Sequence, residues 1–284
     1  MDIYSFNLLL PALAVYLIFF ILPSLSGIFY SFTYWDLFTV RYAGFENFKN
    51  ILSDPDLNIA IKNTFIFALL TSVFKQLFGI ILALFLNQKL KTRNLLRSIF
   101  FFPAILSSVA VGLIFSALMY PTGLINSLLQ DLGLSFMALD WLGDRRIAIF
   151  SVSFVEVWKW TGIVMVLILA GLQSISKEYF EAANIDGANS IKKFWYITLP
   201  LIMPSFNNAF ILGIIGGLKV FDIIYATTQG GPGTATDVMN SLVFKSFGAG
   251  RYGEASAANL LLTVIVFIIT FAFYSVLRKK EVEV

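Results

Sequence analysis

The chain is 284 residues long, 58% apolar and only 13% charged, with 30 phenylalanines, a net charge of +3, and neither cysteine nor histidine. This is the composition of an integral membrane protein rather than a soluble one. It excludes thiol chemistry, histidine acid–base catalysis and the usual zinc and haem ligation, and its charge balance is too weak to argue for a nucleic-acid partner.

In chain order, the first apolar run covers about 8–30, long enough to cross about 30 Å of hydrocarbon. Pro11 and Pro23 fall inside it, which membrane helices tolerate. It lacks a basic leader and exceeds a signal-peptide core, so it reads as a retained helix. The segment 31–61 is polar and aromatic, and Tyr30, Tyr34 and Trp35 suit a membrane–water interface. The second run, about 63–86, carries Lys75 and Gln76. The loop 87–97 has Lys89, Lys91, Arg93 and Arg97 and no acid, which places it in the cytoplasm. The third run is about 99–119, with Pro103 near its start; the mixed-charge segment 120–146 fits the outside. The fourth, about 147–172, is interrupted by Glu156, Trp158, Lys159 and Trp160. The fifth, about 201–225, holds Gly213, Gly216 and Gly217 before Lys219 and Asp222. An irregular Gly- and Pro-dense loop follows at 227–236. The sixth, about 256–277, is closed by Arg278, Lys279 and Lys280. The predicted fold is all-α and integral to the membrane: six transmembrane helices in one domain over 1–284, with both termini cytoplasmic.

A charge at the bilayer centre costs roughly 2.5–3.5 kcal/mol on insertion scales, so each one asks for a reason. Glu156 and Lys159 are spaced i,i+3, as are Lys219 and Asp222, and each pair can partly neutralise itself. A structural salt bridge or snorkelling near a helix end is the plain alternative. Lys75 and Glu156 lie nearer the middle of their spans and point to a substrate pathway. Trp160 sits one turn beyond Glu156, where its ring offers an apolar plate for the C–H face of a sugar; lipid-facing packing is the competing role. Gly213 and Gly217 permit close approach of a ligand or a helix.

Between the fourth and fifth runs lies a polar island, 173–200, that cannot cross a bilayer. Periodicity predicts two short helices, about 177–185 and 188–197. Tyr179 or Phe180 shares a side with Ala183, Asp186-Gly187 makes a turn, and Pro200 and Pro204 mark a break before or at the start of the fifth run. The bare reading is an amphipathic helix–turn–helix at the membrane surface. The order Glu181-Ala182-Ala183, Asp186-Gly187, Ile197, Leu199-Pro200 resembles the EAA loop of permease subunits in binding-protein-dependent ABC importers. Gln229-Gly230-Gly231-Pro232, Gly253-Glu254-Ala255-Ser256-Ala257 and the 42–48 stretch resemble that family's carbohydrate-uptake branch.

The resemblance implies a type I ABC importer permease fold, with the 173–200 loop docking into a groove on a cytoplasmic ATPase. It implies a second permease subunit in a heterodimer, two ATPase subunits, and an extracytoplasmic solute-binding protein. It implies a sugar or oligosaccharide cargo and a cytoplasmic-membrane location. ATP and Mg would be bound by the partner ATPase, with no cofactor in this chain; no Gly-x-x-x-x-Gly-Lys-Ser/Thr loop occurs in the sequence. In the family's sugar importers the cargo contacts come from the helices flanking the EAA loop, which here bring Glu156, Trp160, Gly213 and Gly217. Glycerol phosphate or another polyol derivative is the alternative cargo, to which Lys75, Lys159 or Lys219 would be suited. An ATP-independent secondary transporter and an integral-membrane transferase are the rivals from other classes.

Overall fold

The computed structural model describes residues 9–36 and 38–279. Helix α1 (Leu10–Ser31) comes first. It takes a π-helical turn at Leu17–Ile21, just before Pro23, and the hydroxyls of Ser24 and Ser26 donate to the carbonyls of Phe20 and Leu22. An antiparallel hairpin follows, β1 (Thr33–Trp35) and β2 (Val40–Tyr42), then a short α2 (Glu46–Leu52). Helix α3 (Pro55–Leu86) starts well before the expected 63.

The third apolar run is not one rod. Helices α4 (Arg93–Ile105) and α5 (Ser108–Leu118) meet at a 94° bend. Pro103 removes a donor from the last turn of α4, and Leu106 and Ser107 then turn extended. Next come α6 (Leu124–Asp131), α7 (Ala148–Ser174) and α8 (Lys177–Ile185).

The fifth run differs at both ends. The expected break at Pro200 and Pro204 is absent: one helix, α9 (Ser190–Leu218), absorbs the second surface helix and the apolar run. Its turn Phe194–Thr198 is π-helical, and Leu199 N–H bonds Phe194 O. The π turn shifts the hydrogen-bond ladder just before a proline that has no donor to give, so the axis survives. At the far end α9 stops at Leu218 rather than 225, after Gly216 and Gly217, which are weak helix formers. A separate α10 (Asp222–Thr228) starts with a carboxylate in its first turn, where the helix dipole favours it. Helices α11 (Met239–Gly248) and α12 (Tyr252–Arg278) complete the described chain.

The residues divide into two compact units. One comprises the chain up to 58 together with 239–265. Its centre is Asn47, a buried amide whose Nδ2 donates to the carbonyls of Ser31 (2.9 Å) and Thr33 (2.8 Å). Gly253 lies against the same strand; a Cβ there would come within 2.0 Å of Thr33 O. The 42–48 and 253–257 signatures, far apart in sequence, are therefore two halves of one joint. Tyr30 stacks on Trp35, Trp35 meets Tyr252, and Glu254 takes Arg251 at 2.9 Å and Asn50 at 3.3 Å.

The other unit, 59–238 with the chain from 266, is built around α7. Near its start Val152 and Val155 pack with Phe67, Val111 and Ile223. Further along, Val164, Met165 and Ile168 pack with Ala83, Leu86 and Ile202. Between helices in lipid such contacts hold by dispersion and close fit, because the lipid tails are as apolar as the core. The Gly- and Pro-dense loop is irregular but pinned. Asn63 Nδ2 donates to the carbonyls of Ala235 and Asp237, both at 2.9 Å, and Thr236 Oγ1 donates to Gly231 O at 2.8 Å.

Replacing Asn47 by Ala removes both donations and strands two buried carbonyls. A stranded buried group costs about 1–3 kcal/mol, so Asn47→Ala is expected to lower the unfolding midpoint of the detergent-purified protein. An unchanged midpoint would show that the joint does not depend on this amide.

Candidate functional site

Three helices of the second unit enclose a cavity of about 500 Å³. Lys75 comes from α3, Glu156 and Trp160 from α7, and Gly213, Gly216 and Lys219 from α9 and its end. Ser108, at the bend between α4 and α5, and Asp222, which opens α10, also line it. Lys75 Nζ and Glu156 Oε1 are 3.6 Å apart, with side chains only 4% and 8% exposed. The neighbouring Gln76 donates through Nε2 to Phe206 O at 2.9 Å and fixes α3 against α9.

Four of these placements correct or extend the sequence reading. Glu156 pairs across helices with Lys75, and it also attracts Lys159 along its own helix as the i,i+3 spacing predicts. Lys159 is buried and lies over the Trp160 ring, Nζ to centroid 3.9 Å, a cation–π contact. Gly217 is not in the cavity wall: it is buried in the contact between α9 and α3, where a Cβ would lie 2.6 Å from Ala68 Cα. Ser108 and Asp222 were not placed in the pathway from sequence; both stand where an apolar run breaks, and only the three-dimensional breaks bring them to the wall.

The second candidate region is the polar island. Ser176 caps α8, its hydroxyl accepting from Glu178 N–H at 3.4 Å. The other end is a Schellman turn. Gly187 N–H bonds Asn184 O at 3.2 Å and Ala188 N–H bonds Ala183 O at 2.9 Å, with Gly187 at φ +70°. That left-handed backbone is what a residue without Cβ supplies cheaply. Asn189 then caps α9 by accepting from Lys192 N–H at 2.9 Å. Lys193 Nζ donates to Asn184 Oδ1 and ties the two helices together.

The sequence-picked residues split by role. Ala183 is buried and Phe180 half-buried, so Phe180, not Tyr179, shares the inner side with it. Glu181, Ala182, Asp186 and Gly187 face outward, while Ile197, Leu199 and Pro200 are half-buried along α9. Ile185, next to Asp186 in the chain, is 88% exposed, and Tyr196 on α9 is 81% exposed.

If the Lys75–Glu156 pair holds α3 to α7, Lys75→Met alone takes from a buried carboxylate its cross-helix cation. Breaking a buried pair costs about 3–5 kcal/mol, whereas replacing both members by apolar groups is often neutral. The unfolding midpoint is therefore expected to fall in Lys75→Met and to recover in the double variant Lys75→Met/Glu156→Met. A double variant no better than the single one would refute the pairing.

Comparison with known proteins gives a consistent result. Residues 75–281 match the model of the family described as binding-protein-dependent transport system inner membrane component. The chain is 36% identical over 283 residues to the multiple sugar-binding transport system permease protein MsmF of Streptococcus mutans, covering 98% of this chain and 97% of that one. It is 37% identical over 284 residues to the trehalose/maltose transport system permease protein MalF of Thermococcus litoralis, covering 98% and 94%. Among solved structures it is similar to a chain of a bacterial ABC transporter involved in the import of the acidic polysaccharide alginate, with a TM-score of 0.83 and 26% identity over 96% of this chain and 94% of that one.

Proposed function

The chain belongs to the family of inner-membrane components of binding-protein-dependent transport systems, and from that premise we propose that it is the sugar- or oligosaccharide-carrying permease of an ATP-driven importer. It is a multi-pass membrane protein with the fold of type I ABC importer permeases. In our reading it forms half of the pathway and pairs with a second permease in a heterodimer. Two ATPase subunits dock on its cytoplasmic side and bind ATP and Mg, and an extracytoplasmic solute-binding protein delivers the cargo. Both termini lie in the cytoplasm. The sugar assignment rests on the cargoes in the relatives' names and on a cavity that combines an aromatic plate with paired charges.

One observation carries the coupling part of the proposal. Helix α8 is tied by Asn184–Lys193 to α9, and α9 runs unbroken from the surface loop to Gly213 and Gly216 in the cavity wall. A push on the outward face of α8, at Glu181, Ala182, Asp186 and Gly187, reaches the cavity as movement of one rod. ATP-driven closure of the ATPase pair would supply that push and bias the pathway between inward-open and outward-open states.

The test is a pull-down of the tagged chain from its native membrane, followed by ATPase assays with candidate sugars and binding protein. Recovery of a second permease and an ATPase is expected; a chain that comes down alone under mild detergent would favour a self-sufficient transporter. Gly187→Pro cannot reach φ +70°, and Glu181→Lys reverses a charge on the outward face. Both variants are expected to lose most uptake while the chain still inserts. Normal uptake and normal ATPase recovery in both would sink the coupling role. For the cavity, Trp160→Ala is expected to raise the half-saturating cargo concentration several-fold without loss of assembly. An unchanged concentration dependence would remove Trp160 from cargo binding.

A further inference from the structure

Resting on the membrane orientation proposed above, we propose that the outer side of α4 binds an anionic phospholipid of the cytoplasmic leaflet, with its headgroup on Arg93 and Arg97 and an acyl chain along Leu95, Ile99, Phe102 and Ile105. The headgroup end is a cluster of cations. Lys89, Lys91 and Arg97 are exposed and Arg93 is half-buried, and the chain carries no acid from 87 to 120. Among the described residues none of these four is in an ion pair. The acyl end is an apolar stripe. Leu95, Ile99, Phe102 and Ile105 follow one another in steps of four, three and three, so they share one side of α4, and all four are exposed.

The other side of α4 is taken up by the protein. Leu96 and Phe100 pack in the same core as Val164, Ile168 and Leu172 of α7, and at Gly162 a Cβ would overlap Phe100 O. Helix α4 is thus pressed onto a spanning helix, with its stripe turned away. Length and charge identify the occupant. From Leu95 to Ile105 the stripe rises about 15 Å, the depth of one leaflet in a ~30 Å hydrocarbon core. There the rod ends, and the chain bends by 94° into α5. A track one leaflet deep with its cations gathered at one end matches a lipid, and cations without acids match an anionic headgroup over a zwitterionic one. Ser108, just past the bend, lines the cavity, so a lipid seated here braces the segment that delivers it to the wall.

The test uses the complete transporter assembly in nanodiscs of phosphatidylcholine and phosphatidylglycerol in equal amounts, with the retained lipids counted by native mass spectrometry. Phosphatidylglycerol is expected to be retained preferentially. Arg93→Gln/Arg97→Gln is expected to cut that preference at least about fivefold, the worth of one surface cation. Arg278→Gln/Lys279→Gln removes the same charge at the end of α12 and is expected to leave it within about twofold. A photocrosslinker in place of Leu95 is expected to form lipid adducts in the native membrane. Equal retention of the two lipids overturns the proposal, as does an equal fall in both variants, which would mark net charge rather than this side of α4. Crosslinking from position 95 to a protein partner overturns it too. The orientation is read separately. Lys91→Cys, in a chain with no cysteine of its own, is expected to escape a membrane-impermeant maleimide applied to whole cells. Labelling from outside would overturn the orientation and the leaflet assignment together, while the lipid site would stand or fall on the nanodisc result.

Discussion

Hydrocarbon offers no water to a charge or to a loose backbone group, so whatever polar group crosses it must bring its partner along. The Lys75–Glu156 contact is where this constraint is most severe, and much of the second unit follows from it. It fixes the faces that α3 and α7 present to each other. The same rule governs the long amides. Gln76 holds Phe206 O, Asn207 holds Leu277 O, and Asn63 holds two loop carbonyls, so each of these three amides is also a clamp between elements. Of these contacts it is the Lys75–Glu156 pair that reaches the cavity, where it sets two charges into a largely apolar wall.

Much of this was legible in the chain. Apolar run length located the spanning segments, and the change from apolar to polar around 173–200 located the surface loop with its turn at Asp186-Gly187. Three features were not legible, each for a physical reason. Sequence spacing shows only local partners, so it matched Glu156 to Lys159 and missed Lys75, which helix packing brings to the same carboxylate, and the aromatic ring that Lys159 also lies over. Proline is read as a stop, yet Pro103 precedes a sharp bend while Pro200 and Pro204 sit in an unbroken helix. The difference lies in the π turn ahead of Pro200, which no residue pattern announces. Glycines look equally permissive in sequence; Gly213 and Gly216 reach the cavity and Gly217 turns to Ala68, a matter of rotation about α9 alone.

The two candidate regions share one helix. Transport by the proposed route requires that a protein–protein contact at the surface change the shape of a distant cavity, and flexible connections dissipate such a change. Here the connection is short: a capped helix, a Schellman turn, an amide–ammonium tie and then an uninterrupted rod. The first unit shows the same economy at the 42–48 and 253–257 segments, where one buried amide and one missing Cβ lock a hairpin to the start of α12.

The π turn at Phe194–Thr198 also sets a compass bearing. An α-helix turns about 100° per residue, and a π turn accommodates one residue more than the regular ladder would. Everything upstream of that turn is therefore rotated by roughly a quarter of a circle relative to the residues downstream of it. The bearing at which α8 presents its outward face is thus keyed to the bearing at which α9 presents Gly213 and Gly216, and the keying resides in the five residues of this turn. Adding or removing one residue in this stretch would turn the outward face of α8 to a different quarter relative to the cavity, so the length of the stretch matters to the proposed coupling as much as its composition.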